Sequence, residues 1–268
     1  MTELCCQFGE YGQLAGIVTE PAAECRALCV LVNAGLVPKS GPWRLYVDVA
    51  RRLARSGVAT LRFDLGGLGD SRREHADQPL EERTDLEIRA AVDELLRRYP
   101  GGRSLVIGGL CSGAEDALRY AERDARVTGV VMLDPFAYRT AGWRWRHVAF
   151  RVVRRTLRAA GIYEPIATRG PLTGAGTHKR VVHYQHMEHA ESSRILRSLL
   201  ARQARLLFIY TGGQQDSFNH AGQLQQMFAD IPFEGRVTVG FLPHMDHTQV
   251  FAADRRAVVD TIDGWITG

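Results

Sequence analysis

The chemistry available to this sequence centres on one sulfur atom. An apolar run from Ser104 to Ile107 stops at Gly108-Gly109, and Gly109-Leu110-Cys111-Ser112-Gly113 then leads into Ala114 to Tyr120, which reads as a helix. Strand, tight turn and helix, with glycines two before and two after a nucleophilic side chain, is an arrangement that presents that side chain above a sheet edge. The turn forces its central residue into a strained backbone conformation, and neighbouring Cβ atoms would collide there. A helix N-terminus beneath it favours negative charge. Gly109 and Gly113 flank Cys111 symmetrically, whereas centring on Ser112 puts Leu110 and Ala114 at the glycine positions. Cys111 is therefore the candidate nucleophile. The plainer alternative is a buried structural cysteine in a glycine-rich turn, with Ser112 as a cap.

A cysteine nucleophile needs a base, an orienting acid and an oxyanion hole. The loop Pro243-His-Met-Asp-His-Thr248 offers two of the chain's nine histidines, His244 and His247. A second cluster, His183-x-x-His186-x-x-His189 beside Glu188, has steps that would spread ligands over about 120° of a helix. Neither a metal nor a cofactor is expected.

The elements that must carry these residues alternate. Leu4 to Phe8 and Leu14 to Thr19 read as short strands joined by a turn at Gly9 to Gly12. Ala27 to Val32 is a continuous apolar run, as expected for a strand buried on both faces, and Val58 to Phe63 follows a helical pattern from Trp43 to Ser56. Helical periodicity from Leu86 to Tyr99 precedes the cysteine turn, and Arg126 to Leu133 is a further strand leading into Asp134-Pro135. Helix Ile195 to Gln203, strand Leu206 to Tyr210, helix Ala221 to Ala229, strand Val237 to Leu242 and helix Val250 to Ile266 complete the series. Strands alternating with helices at this spacing give a mostly parallel sheet. Between Phe136 and Ser192 the rhythm breaks, with an arginine-rich helix from Trp143 to Ala160 and a Gly/Thr/Pro stretch from Pro165 to Lys179. The expected organisation is a core of residues 1–135 and 193–268 with a helical cap inserted at 136–192.

Composition agrees with one α/β domain plus an insertion: 268 residues, 45% hydrophobic and 24% charged. The first residues show no secretory signal and no run approaches the ~18 apolar residues of a membrane span. Five cysteines without repeated spacing point to a reducing compartment, so a cytoplasmic location is expected. Net charge is a mild +4, but residues 139–180 hold nine arginines and one lysine against the single acid Glu164. That stripe suits phosphates or an acidic carrier protein, or simply a solvated face. No recognition motif accompanies it, so nucleic acid is not an expected partner, and neither is a membrane. Trp143 and Trp145 are candidates for lining an acyl pocket or for plain core.

The chain resembles the α/β-hydrolase superfamily in three motifs: Asp64-x-x-Gly67-x-Gly69-x-Ser71, the cysteine turn, and Asp246-His247-Thr248. It is most similar to the branch containing the exosortase-A-system-associated hydrolases, through Gly41-Pro42-Trp43-Arg44-Leu45-Tyr46-Val47, Arg62-Phe63-Asp64 and cysteine in place of serine. The resemblance implies an eight-stranded α/β-hydrolase sheet and the chain order nucleophile, acid, histidine. It favours His247 over His244 as base and Asp216, after Leu206 to Tyr210, as acid, with Asp134 the alternative. It implies an oxyanion hole from the Ser112 amide and the Asn33-Ala-Gly-Leu36 loop, at Leu36 or, one residue earlier, Gly35. Asp64 and Ser71 are expected to shape their loop only. The implied activity is acyl transfer through an acyl-cysteine, on an ester or on a thioester of coenzyme A or an acyl carrier protein. The competing reading is a non-catalytic ligand-binding member of the superfamily.

Overall fold

A computed structural model describes residues 1–74, 77–101, 103–159 and 186–268. Eight strands form one sheet in the order β1-β2-β4-β3-β5-β6-β7-β8. They are β1 Glu3–Phe8, β2 Leu14–Thr19, β3 Ala27–Val32, β4 Val58–Phe63, β5 Ser104–Leu110, β6 Val127–Leu133, β7 Arg205–Thr211 and β8 Val237–Leu242. β1 and β2 are antiparallel, β2 meets β4 antiparallel, and β3 to β8 are mutually parallel. This is the α/β-hydrolase sheet, as expected.

The helices are α1 Leu45–Arg55, α2 Leu80–Arg98, α3 Ser112–Arg123, α4 Ala141–Ala159, α5 His189–Ala201, α6 Gln223–Met227 and α7 Ala252–Thr267. α1 and α7 cover one face of the sheet with Leu45, Val49, Leu53, Val258 and Ile262. The other face is covered by α2, α3, α5 and α6, through residues such as Ile88, Ala117, Leu196 and Leu224. β3 and β4 are buried at every position, which explains the unbroken apolar run of β3, while β4 also buries Thr60 and Arg62, the latter paired with Glu3.

The strand order fixes where a site forms. From β3 the chain crosses to β4 on one side and then to β5 on the other, so the loops after β3 and β5 diverge from a common crevice. Those loops carry residues 33–36 and Cys111. Tyr46 ties the two strand ends together: its buried hydroxyl donates to the Val32 carbonyl at 2.9 Å and accepts the Leu110 N–H at 2.8 Å. Burial pushes that phenol well above its ordinary pKa, so it remains a neutral donor.

The arginine-rich helix is present as α4, and α5 begins at His189, within the span expected for the cap. α5 nevertheless packs on α3 in the manner of a core helix, burying Ile195, Leu196 and Leu199. The Gly/Thr/Pro stretch from Pro165 to Lys179 and His183 lie outside the described residues. No described helix is long and apolar enough to cross a membrane.

Candidate active site

Cys111 sits alone at the bend between β5 and α3 with φ 53° and ψ −120°. Such a backbone costs on the order of 1–3 kcal/mol and persists only where its surroundings enforce it. They do so here. The Cys111 N–H donates to the Leu133 carbonyl at 2.8 Å, pinning the bend to β6. A Cβ on Gly113 would lie 2.5 Å from the Asn33 carbonyl oxygen, so only glycine lets α3 approach the end of β3. The Ser112 hydroxyl accepts the Gly35 N–H at 2.7 Å and faces the β3 loop. The residue at the apex is thus Cys111, which is partly exposed.

His247 follows β8 by five residues and is brought back to the same edge. Its Nδ1 lies 2.8 Å from Asp134 Oδ2. Asp134 is fully buried just past β6 and has φ 47°. Its Oδ1 accepts the Thr211 N–H at 2.6 Å, and its Oδ2 also accepts the Thr211 hydroxyl at 2.6 Å. With Nδ1 committed to the carboxylate, Nε2 is the imidazole's working nitrogen. Side-chain hydrogen bonds, first to Asp134 and then to Cys111, raise the His247 pKa to about 10 against the opposing effect of burial.

The acid favoured by chain order is not the one against His247. Asp216 is exposed, beyond a short 3-10 turn at Gly212–Gln214 that carries the chain away from the histidine. Its carbonyl instead accepts Arg139 Nε at 2.8 Å. Asp134 takes the place because β6 and β7 are adjacent parallel strands, and Thr211 at the end of β7 latches the carboxylate that leaves β6. His244 is exposed at the start of its loop, and His247 is the histidine turned onto the carboxylate.

The remaining candidates divide clearly. Leu36 is 86% exposed, on a turn closed by the Val37 N–H donating to Ala34 at 2.9 Å, and Gly35 has φ 50°. Asp64 is fully buried and accepts the Lys39 N–H and Nζ, both at 2.6 Å, while the Ser71 hydroxyl donates to the Asp64 carbonyl. Both therefore shape their loop, as expected. Trp143 is buried with its indole N–H on the Gln215 carbonyl at 3.1 Å, whereas Trp145 is 77% exposed and lines no pocket.

Sequence reasoning missed Thr211 and Tyr46. It also missed the pairing of Glu115 with the 186–187 segment. Glu115, one turn into α3, is fully buried, and its two oxygens meet His186 Nδ1 at 2.9 Å and the Met187 N–H at 2.7 Å. A usable signal existed for Glu115: a carboxylate in the first turn of an otherwise apolar helix face calls for a partner. His189 Nε2 bonds the Met227 carbonyl at 2.7 Å, so His186 and His189 turn to different partners. Among the described residues no group of three or more side chains could hold a metal ion.

The parallel sheet, the strained cysteine turn after its central strand and the histidine after its last strand define an α/β-hydrolase. A family model described as serine aminopeptidase, S33, matches residues 24–251, and the chain belongs to that hydrolase family. No curated protein matches the chain. Among solved structures, the chain is similar to an esterase from Pyrococcus furiosus with TM-score 0.63 and 13% identity, over 99% of this chain and 90% of that one. The esterase domain of a Rhodothermus marinus protein matches with TM-score 0.61 and 16% identity, over 100% and 98% of the two chains. Est1E from Butyrivibrio proteoclasticus gives 0.60 and 13%, over 98% and 97%. At these identities the structures share the fold. The serine in the family's name has no counterpart at the apex here, where Cys111 stands.

Proposed function

We propose that the chain is an acyl-transfer enzyme working through Cys111, with His247 as its acid–base and Asp134 as the group that orients it. The observation carrying this reading is the Asp134–His247 hydrogen bond at 2.8 Å, in an imidazole whose pKa is raised by Asp134 first and by Cys111 as well. His247 takes the thiol proton and the thiolate attacks the carbonyl carbon of the substrate. Charge on the carbonyl oxygen is met by the Ser112 and Leu36 amides, the Gly35 N–H being turned onto the Ser112 hydroxyl. One such donor is worth about 3–4 kcal/mol in the transition state. The imidazolium returns its proton to the departing alkoxide or thiolate, leaving an acyl-cysteine. His247 then deprotonates water, an alcohol or an amine, which attacks the acyl carbon and releases the Cys111 sulfur.

A sulfur nucleophile suits a thioester donor. The acyl-cysteine is itself a thioester, so accepting an acyl group from coenzyme A or a carrier-protein arm exchanges like for like. The likeness to exosortase-associated hydrolases supports a biosynthetic use of that transfer. Intact mass after exposure to acyl-thioesters and activated esters tests the reading. The expected result is one acyl adduct on the native chain, absent from a folded Cys111→Ala variant. An adduct that persists in the variant overturns it. A native chain that takes no acyl group from any donor supports a ligand-binding role for the same pocket.

A further inference from the structure

Helix α4 has a sequence unlike the rest of the surface. It holds six arginines and no acidic residue in 19 positions. At about 100° per residue, Val148, Val152, Trp145 and Ala149 share one arc of about 100°, continued by Val153 and Phe150. Arg144, Arg151 and Arg155 fall within about 40° along its flank, beside Val148 and away from Phe150. Both faces are in water: Trp145 is 77% exposed, Val148 53%, Phe150 59%, Val152 56% and Val153 54%. Large apolar side chains this exposed are not ordinary surface texture, and this outward-turned face has no partner among the described residues.

The helix is fastened at one end only among the described contacts, beside the active site. Asn219 Nδ2 donates to the Trp143 carbonyl at 3.1 Å, the Trp143 indole reaches Gln215, and Thr140 Oγ1 donates to Gln226 Oε1 at 2.9 Å. Two further large apolar residues are exposed after strands that end at the C-terminal edge of the sheet: Trp43 after β3, at 59%, and Phe251 after β8, at 70%.

We propose that α4 is an interfacial helix that seats the protein on an anionic lipid surface. The apolar arc enters the acyl boundary and the arginines lie at the depth of the phosphates, which is what such a helix needs without spanning the bilayer. Arg146, the one charge inside the apolar arc, has a stem long enough to reach the headgroups. Other occupants fit one face only. An acidic protein would satisfy the arginines and leave the wider apolar arc in water. A second copy meeting through α4 would bring arginine onto arginine, because the helix has no acid to answer them. The proposal does not depend on Cys111 being the nucleophile, and its test does not measure acylation.

The test is co-sedimentation of the full chain with vesicles of phosphatidylcholine, or of phosphatidylcholine and phosphatidylglycerol in equal parts. The wild type should partition onto the anionic vesicles, less so in high salt, and little onto the neutral ones. Arg151→Glu/Arg155→Glu should weaken partitioning at least about tenfold, since each basic residue near such a surface contributes about 1 kcal/mol. Trp145→Ser/Val152→Ser should lose it at all salt concentrations. Unchanged melting temperature and unchanged far-ultraviolet circular dichroism show that these variants are folded. Should either fail to fold, quenching of wild-type fluorescence by brominated lipid, reduced in Trp145→Phe, reads the same contact. Equal partitioning onto both vesicle types, or wild-type partitioning by both double variants, overturns the proposal. So does loss by these variants of binding to an acidic acyl carrier protein, or of self-association, with vesicle binding intact.

Discussion

Asp134 meets three donors while fully buried, so its geometry is set before any substrate arrives. Asp134→Asn would keep the shape and present an amide where His247 Nδ1–H needs an acceptor, favouring the wrong tautomer. Turnover should fall by about a thousandfold to ten-thousandfold, while Asp216→Asn, at an exposed side chain, should stay within a few-fold of wild type; steady-state kinetics on one ester decides between them. The raised pKa of His247 also has a stability consequence. A group whose folded pKa lies above its unfolded value stabilises fully below the unfolded pKa and loses that contribution as pH rises through the folded one. The melting-temperature gap between wild type and His247→Gln should therefore be widest below pH 6.5 and close towards about pH 10. Cys111 and His247 were legible because glycine spacing and a short motif mark them. The choice between Asp134 and Asp216 was not. Both follow adjacent strands, and the residue that decides, Thr211, is a common type whose meaning appears only when β6 and β7 lie side by side.

Among the elements, the crevice depends on β3 and β5 ending together, and Tyr46 enforces this from α1. Tyr46→Phe leaves the Val32 carbonyl and the Leu110 N–H buried without their shared partner. Urea unfolding should show a loss of about 1–3 kcal/mol. The strands were legible almost to the residue at β2, β3, β4 and β8, because short runs rich in β-branched and aliphatic residues are bounded by turn residues or charges there, even at β8, whose residues are only partly buried or exposed. Helix starts were not. α2 begins at Leu80, six residues before its apolar periodicity, since the first turn is largely exposed and Leu80 itself lies 60% in water. α5 likewise starts at His189, ahead of its first buried aliphatic, Ile195. A helix end buries little, so hydrophobic spacing is silent there.

Across the whole molecule, five reduced cysteines occupy very different depths. Cys29, in β3, is 1% exposed, and burial pushes its thiol up to about 12. Alkylation by iodoacetamide at neutral pH should spare Cys29 in the native chain and reach it at a rate set by global opening, read by peptide mass with and without urea. The overall architecture was legible from alternation alone, whereas the exposed faces of α4 were not, because periodicity tells which side of a helix is greasy but not whether anything covers it. One last arrangement links the scales. The carboxylate serving the imidazole leaves β6, so the stretch beyond β7 is released from that duty. It fastens α4 instead, through the carbonyls of Gln215 and Asp216. The peripheral helix and the His247 loop thus share one short mount, because the Gln215 side-chain amide also donates to the Pro243 carbonyl at 3.3 Å, and a pull on the helix is felt beside the imidazole.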